Sequence, residues 1–201
     1  MKVLALELSS GQGSIAFADV PNECFAAEFP NDRKHSGAFF ENLQRCRDQC
    51  GNADQIVVGL GPGSYAGTRI AIAAAIGLQA ATGAELIGIP SLCALPTAAA
   101  DYVVIGDARR QSFWFAQVRA RACIVAPVLC GREELAERLS QSALPIFSSE
   151  PLIAFPTVPV LYPSARVLGE IAPNSPDKIG APLEPLYLRE PHITRPKSVR
   201  A

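Results

Sequence analysis

A run of fifteen residues without a charged side chain, 70–84, is the feature that most limits how this chain can fold. It follows Gly-Pro-Gly-Ser at 61–64, and the pattern predicts a long helix over 65–82 that Gly83 ends. A helix that is apolar on every side has to be covered on every side. A bilayer span requires about 18 apolar residues or more. The sequence therefore predicts a buried helix of a globular protein and no membrane span.

Strands and helices alternate on both sides of this helix. In the first half, hydrophobic patterning predicts strands at 2–8, 14–18, 24–29, 55–60 and 85–89, with a helix at 36–50 and a short helix from 91. Hairpins followed by βα alternation indicate a mixed sheet and not a doubly wound parallel one. The expected fold class is therefore α/β.

The second half opens in the same way as the first. Strands are predicted at 102–106, 112–118 and 123–129, weak strands at 146–147 and 160–161, and helices at 132–141 and 164–172. Prolines from residue 173 onward predict a tail that lies on the surface. We therefore expect two lobes, 1–100 and 101–201, each with a mixed sheet and helices, and the second of them reduced.

Charge and cysteine usage exclude several classes of protein. The net charge is −1, so no overall positive field attracts nucleic acid. The six cysteines form no CxxC pair, which predicts free thiols and not a zinc site. Met1-Lys2 leads directly into a strand, not into a secretory leader. We expect a protein of the reducing cytoplasm.

The glycine-rich turn before the long helix allows two interpretations. Its candidate structural residues are Gly61, Pro62, Gly63, Ser64 and Gly67. Free amides at a helix start bind anions, but the turn lacks the lysine of a Walker A motif. A rigid turn with Ser64 as the N-cap is the preferred interpretation.

The outward side of the long helix is the candidate partner interface. The sheet covers only one side of this helix, so another surface must cover the remainder, either the second lobe or a partner protein. Arg69 is a cation near a helix start, where the helix dipole disfavours it, so we expect it to reach a carboxylate or a carbonyl, within the chain or on a partner. The predicted interface residues are Phe40, Arg69, Ile72, Ala73, Ile76, Gly77 and Ala80.

Two polar turns leave a nucleotide site open as an alternative. The loops Ser9–Ser14 and Asp107–Ser112 would hold phosphates, and carboxylates in each half would bind Mg²⁺ through water. The residues of this alternative are Glu7, Ser9, Ser10, Asp107 and Arg109. Against it, the first loop is short and the second contains no glycine. An ion pair between Asp107 and Arg109 is the simpler interpretation.

Several motifs in order along the chain carry a family resemblance. They are Leu-Ala-Leu-Glu-Leu-Ser-Ser at 4–10, His35-Ser36, Gly-Pro-Gly-Ser-Tyr-Ala-Gly-Thr-Arg-Ile at 61–70, Gly-Asp-Ala-Arg at 106–109 with Trp114, and Pro-Leu-Tyr-Leu-Arg at 185–189. With these motifs the chain resembles the TsaB (YeaZ) family, although Glu7 stands where aspartate is usual. The resemblance is thin between about 131 and 177.

The resemblance implies an actin-like (ASKHA, ribonuclease-H-like) fold and a role without catalysis. TsaB is a subunit of the bacterial machinery that makes N6-threonylcarbamoyladenosine at position 37 of tRNA. It implies docking of the helix pair on the catalytic subunit TsaD, association with the ATPase TsaE, and a homodimer when the chain is alone. Contact with tRNA is expected only through the complex. No cofactor is expected.

The resemblance also directs attention to a missing histidine pair. TsaD holds a metal through two histidines four residues apart on a helix, and the matching positions here are Ser91 and Leu95. The two histidines of the chain, His35 and His192, are far apart in sequence. We therefore assign no metal site and no catalytic residue. The basic tail, with Arg189, Arg195, Lys197 and Arg200, is expected to be solvated, with a contact to tRNA or a partner as the alternative.

Overall fold

The computed structural model describes residues 1–31 and 36–189 of the chain, and its first sheet has six strands in the order β10-β5-β4-β1-β2-β3. The strands are β1 Lys2–Glu7, β2 Gln12–Asp19, β3 Asn22–Pro30, β4 Gln55–Gly59, β5 Glu85–Ile89 and β10 Ile179–Gly180. β1, β2 and β3 form an antiparallel meander, whereas β1, β4 and β5 run parallel. Parallel neighbours need crossovers, which are α1 Gly37–Cys50 and α2 Tyr65–Thr82.

Both faces of the first sheet are buried, because β1 alternates its side chains between two cores. Leu4 and Leu6 lie with α1 and α2 on one face. Val3 and Ala5 lie on the other face with α4, which spans Ala165–Ile171. The first sheet is therefore a central layer between helices.

The second sheet has four strands in the order β8-β7-β6-β9. They are β6 Asp101–Asp107, β7 Phe113–Arg119, β8 Ala122–Cys130 and β9 Ile146–Ser148, and α3 Arg132–Ser140 follows β8. Leu135 of α3 packs with Val103 and Ile105 on one face of this sheet. On the other face, Tyr102, Val104 and Trp114 share a core with α4 and with the 3₁₀ turn Ser91–Ala94. That shared core joins the two sheets.

The predicted α/β class is confirmed, and each of the two sheets combines parallel and antiparallel neighbours, as predicted. The predicted helix 65–82 and strand 85–89 have the bounds of α2 and β5. The division into lobes 1–100 and 101–201 stays a prediction, and two elements that follow residue 101 pack with the first sheet, namely α4 and β10.

The region after residue 173 departs from the predicted surface tail. β10 pairs antiparallel with β5, and Leu183 is buried against the α2 side of the first sheet. A two-residue strand among prolines has no hydrophobic period, so patterning did not reveal it. In the described part of the chain, no helix combines the length and apolarity needed to cross a bilayer.

Candidate functional site: a cleft and a helix face that share one turn

The glycine-rich turn is held by hydrogen bonds within the chain. Ser64 is the N-cap of α2, and its side-chain oxygen accepts from the Gly67 N–H at 3.2 Å. The Ser64 N–H donates to the carbonyl oxygen of Ser9 at 2.6 Å, and the Thr68 N–H donates to the carbonyl oxygen of Ser64 at 3.0 Å. The amides of Ser64 and Gly67, two of the four at a helix start that lack an intrahelical partner, are therefore occupied. This geometry favours the rigid-turn interpretation.

Close backbone approach explains two of the glycines in this turn. A methyl group on Gly63 would overlap the carbonyl oxygen of Ser9, and one on Gly67 would overlap the carbonyl oxygen of Leu8. Gly63 also has a φ of +156°, which disfavours a side chain. The β1–β2 loop thus lies directly on the start of α2, and the motif encodes that contact.

Glu7, at the end of β1, is fully buried. Its Oε1 accepts from the Ser9 N–H at 2.6 Å, whereas its Oε2 has no hydrogen-bond partner within the described residues. Burial raises the pKa of the Glu7 carboxyl above its ordinary value of 4.5, although Ser9 and the nearby Ser91 hydroxyl oppose that effect. A carboxyl in this position is a poor ligand for a hydrated Mg²⁺ ion.

The raised pKa of Glu7 predicts a pH-dependent effect of Glu7→Gln. The folded state holds the Glu7 proton more tightly than the unfolded state, so the parent loses stability as the pH rises above 4.5. The amide of the variant does not titrate. We expect its melting temperature relative to the parent to rise between pH 4 and pH 8. Thermal unfolding across that range measures this, and a difference that does not change with pH would contradict it.

The second polar turn joins β6 to β7 and forms the expected internal ion pair. Asp107 accepts the Arg109 N–H at 2.7 Å through Oδ1 and the Arg109 guanidinium at 3.0 Å through Oδ2. Arg109, Arg110 and Gln111 all have positive φ, between 54° and 64°. The Asp107 carboxylate therefore holds a strained turn in place, since such a backbone is unfavourable for residues other than glycine.

A cleft of about 530 Å³ lies between these two turns. Of the residues proposed for the nucleotide alternative, Ser9, Ser10, Asp107 and Arg109 line it, whereas Glu7 does not. Tyr65, Tyr162 and residues of the segment 185–189 also line the cleft, which hydrophobic patterning did not predict. Only the Pro-Leu-Tyr-Leu-Arg motif at 185–189 signalled that the segment has a role.

The outward side of α2 is an exposed apolar stripe. We define the docking face as Phe40 of α1 together with Arg69, Ala73, Ile76, Gly77 and Ala80 of α2, all of which are exposed. Phe40 and Ile76 are exposed to 49% and 46%. Ile72 is a predicted interface residue, but it is only 6% exposed and packs in the core with α1. The docking face therefore excludes Ile72.

Arg69 contacts an aromatic side chain of its own helix. Its guanidinium lies 5.1 Å from the ring centroid of Tyr65 and donates to the Tyr65 hydroxyl, one turn earlier on α2. The described contacts of Arg69 are thus with an aromatic ring and its hydroxyl, and a carboxylate or a carbonyl on a partner stays a prediction.

Comparison with solved structures identifies the architecture. YeaZ from Pseudomonas aeruginosa superimposes with a TM-score of 0.72 at 22% identity, over 93% of this chain and 99% of that one. The chain has the YeaZ fold. A second structure, of an uncharacterized Pseudomonas aeruginosa protein with similarity to peptidase YEAZ, gives the same TM-score over 94% of this chain. The predicted resemblance to the TsaB (YeaZ) family is confirmed at the level of the fold.

Sequence comparisons agree with the YeaZ fold over part of the chain. The family model described as TsaD, tRNA N6-adenosine threonylcarbamoyltransferase, matches residues 32–128. An uncharacterized protein of Mycobacterium tuberculosis is 34% identical over 141 residues, which are 69% of this chain. The match spans 65% of the length of that relative.

Ser91 and Leu95, which stand where the resemblance implies the histidine pair of TsaD, are both buried. Ser91 begins the buried 3₁₀ turn, where its hydroxyl accepts the Gly61 N–H at 2.9 Å, and Leu95 is fully buried just after it. Over 1–31 and 36–189, no group of three His, Cys, Asp or Glu side chains could hold a metal ion. His35, His192 and the tail residues Arg195, Lys197 and Arg200 lie outside the described residues.

Proposed function

We propose that the chain is a non-catalytic, TsaB-type subunit that binds and activates a TsaD-family protein in the synthesis of threonylcarbamoyladenosine in tRNA. The docking face carries the proposal. It is an apolar stripe along an 18-residue helix, left exposed in a chain with the YeaZ fold. Exposed apolar surface of this kind marks protein interfaces in soluble proteins.

The range of residues that the TsaD family model matches supports the choice of partner. Its match over 32–128 includes both α1 and α2. A TsaD-family protein therefore has counterparts of these two helices, and a pair of helices can pack on a similar pair with apolar faces together. We further propose that TsaE joins through this complex, that tRNA is met only there, that the chain alone pairs with a second copy, and that it acts in the cytoplasm.

The alternative is an actin-like ATPase or a sugar-kinase-type phosphotransferase that uses the cleft. The joint lining of the cleft by Ser9, Ser10, Asp107 and Arg109 favours it. The buried Glu7 and the occupied amide of Ser64 weigh against it. Titration of ATP–Mg²⁺ into the isolated chain separates the two functions, since micromolar binding with turnover would support the ATPase and contradict the non-catalytic role.

The proposed function predicts complex formation with the TsaD-family protein of the same organism. We expect a stable complex in light scattering or native mass measurement, because the docking face is covered there. We also expect that tRNA modification requires this chain when it is reconstituted with TsaD- and TsaE-type proteins and with a TsaC-type protein, which the resemblance implies makes the threonylcarbamoyl adenylate. Absence of a complex, or modification that proceeds equally without the chain, would contradict the proposal.

A further inference from the structure

The segment Leu183–Arg189, here the C-terminal strap, crosses from the first sheet to the turn of the second. At one end Leu183 is buried, and the Leu186 N–H donates to the carbonyl oxygen of Leu60 at 2.8 Å. At the other end Leu188 packs on the core shared by the two sheets, and the Arg189 guanidinium donates to the Ser112 hydroxyl. The strap is therefore fixed on both sides of the cleft.

Between these anchors, Tyr187 contacts the start of α2. Its ring centroid lies 5.5 Å from that of Tyr65, and the two rings are tilted by 38°. Tyr65 in turn lies under the guanidinium of Arg69. We call these three residues the rim cluster. Both tyrosines keep more than two fifths of their surface exposed, Tyr65 at 49% and Tyr187 at 43%, although they contact each other.

The rim cluster continues the docking face. At 100° per residue, Tyr65, Arg69, Ala73, Ile76 and Ala80 fall within about a quarter of the circumference of α2. One stripe thus runs from the exposed aromatic pair at the start of the helix to Ala80 near its end. Tyrosine and arginine are the residue types that, with tryptophan, most often dominate binding energy at protein interfaces.

The charge of Arg69 limits which partner group can pack on the start of this stripe. Arg69 is the only charged residue in 55–84. A guanidinium covered by an apolar partner without a counter-charge would be desolvated at a large cost. The aromatic stack fixes one side of Arg69 and leaves the group exposed. A carboxylate on the partner is the group that matches it.

We propose that the C-terminal strap completes the docking face: Tyr187 packs on Tyr65, Tyr65 holds Arg69, and Arg69 pairs with a carboxylate on the helix of the TsaD-family partner that covers the face. The inference rests on the proposed function for the existence of that partner. It assigns the affinity-determining contacts to the rim cluster, and it makes docking depend on a segment that also lines the cleft.

The test measures the affinity of the full chain for the TsaD-family protein at low and high salt. We expect Tyr187→Ala to weaken binding by about tenfold or more, and Tyr187→Phe, which keeps the ring stack, to bind as the parent does. Arg69→Gln should weaken binding at low salt and remove most of its salt dependence. The matched controls are Ile153→Ala, at a fully exposed site, and Arg132→Gln on α3, and both should bind as the parent does.

Ile76→Asp separates this inference from the proposed function. If it abolishes binding while Tyr187→Ala and Arg69→Gln stay within about twofold of the parent, the role of the strap is overturned and the docking face stands. If all three variants bind as the parent does, both proposals fall. Should Tyr187→Ala weaken only the self-association of the chain, the strap serves a second copy, and the inference for the TsaD-family partner is overturned.

Discussion

Gly67→Ala is expected to destabilise the protein by about 2 kcal/mol, the cost of overpacking a close contact. In a helix this substitution ordinarily stabilises by about 1 kcal/mol, because alanine has the higher helix propensity. The sign reverses here because a methyl group on Gly67 would overlap the carbonyl oxygen of Leu8. Relief of that overlap separates the β1–β2 loop from the start of α2 and lengthens the hydrogen bond between Ser64 and Ser9.

Gly77→Ala is the matched control in the same helix. Nothing lies within 4 Å of a methyl group at this position, and Gly77 is exposed. We expect it to stabilise by up to about 1 kcal/mol. Chemical denaturation of both variants measures whether each substitution raises or lowers the free energy of unfolding. Equal and favourable effects would show that the loop does not rest on α2 as described.

The locations of α1 and α2 could be predicted because their signals are local. Phe39, Leu43 and Cys46 recur at helical spacing and are the buried residues of α1. Helix α2 begins after Ser64, whose side chain accepts an amide hydrogen bond as the N-cap. It ends at Gly83, which adopts the left-handed conformation of a C-cap. Neither signal requires knowledge of the tertiary contacts.

The side of α2 that meets the sheet could not be predicted in the same way. A helix that is apolar all round has no polar stripe to mark its outer face. Ile72 and Ile76 are one turn apart and chemically identical, yet one is buried and the other is exposed. Only the positions of the sheet and α1 decide between them.

The position of the C-terminal strap also lay beyond sequence patterning. β10 has two residues, and the strap that follows has neither a strand period nor a helix period. The position of Tyr187 is set by its contact with Tyr65, which is more than a hundred residues earlier in the chain. Long-range contacts of this kind leave no trace in a local pattern.

Ile76→Asp is expected to weaken association with the TsaD-family partner by about two orders of magnitude or more while the chain stays folded. Ile76 is 46% exposed, so the carboxylate that the substitution introduces remains hydrated in the free chain. Docking would bury that carboxylate without a counter-charge, at a cost of several kcal/mol. By contrast, Ile72→Asp places a charge in the core and should unfold the protein.

Ile124→Asp provides the control for Ile76→Asp, because it makes the same change at a site of nearly the same exposure, 45%, on β8. Both variants should melt close to the parent temperature, so any difference between them in partner affinity reports the location of the interface and not a loss of folding. Calorimetric titration of each into the partner measures this. Loss of binding in Ile124→Asp with retention in Ile76→Asp would move the interface to β8 of the second sheet, and equal retention in both would place it on neither surface.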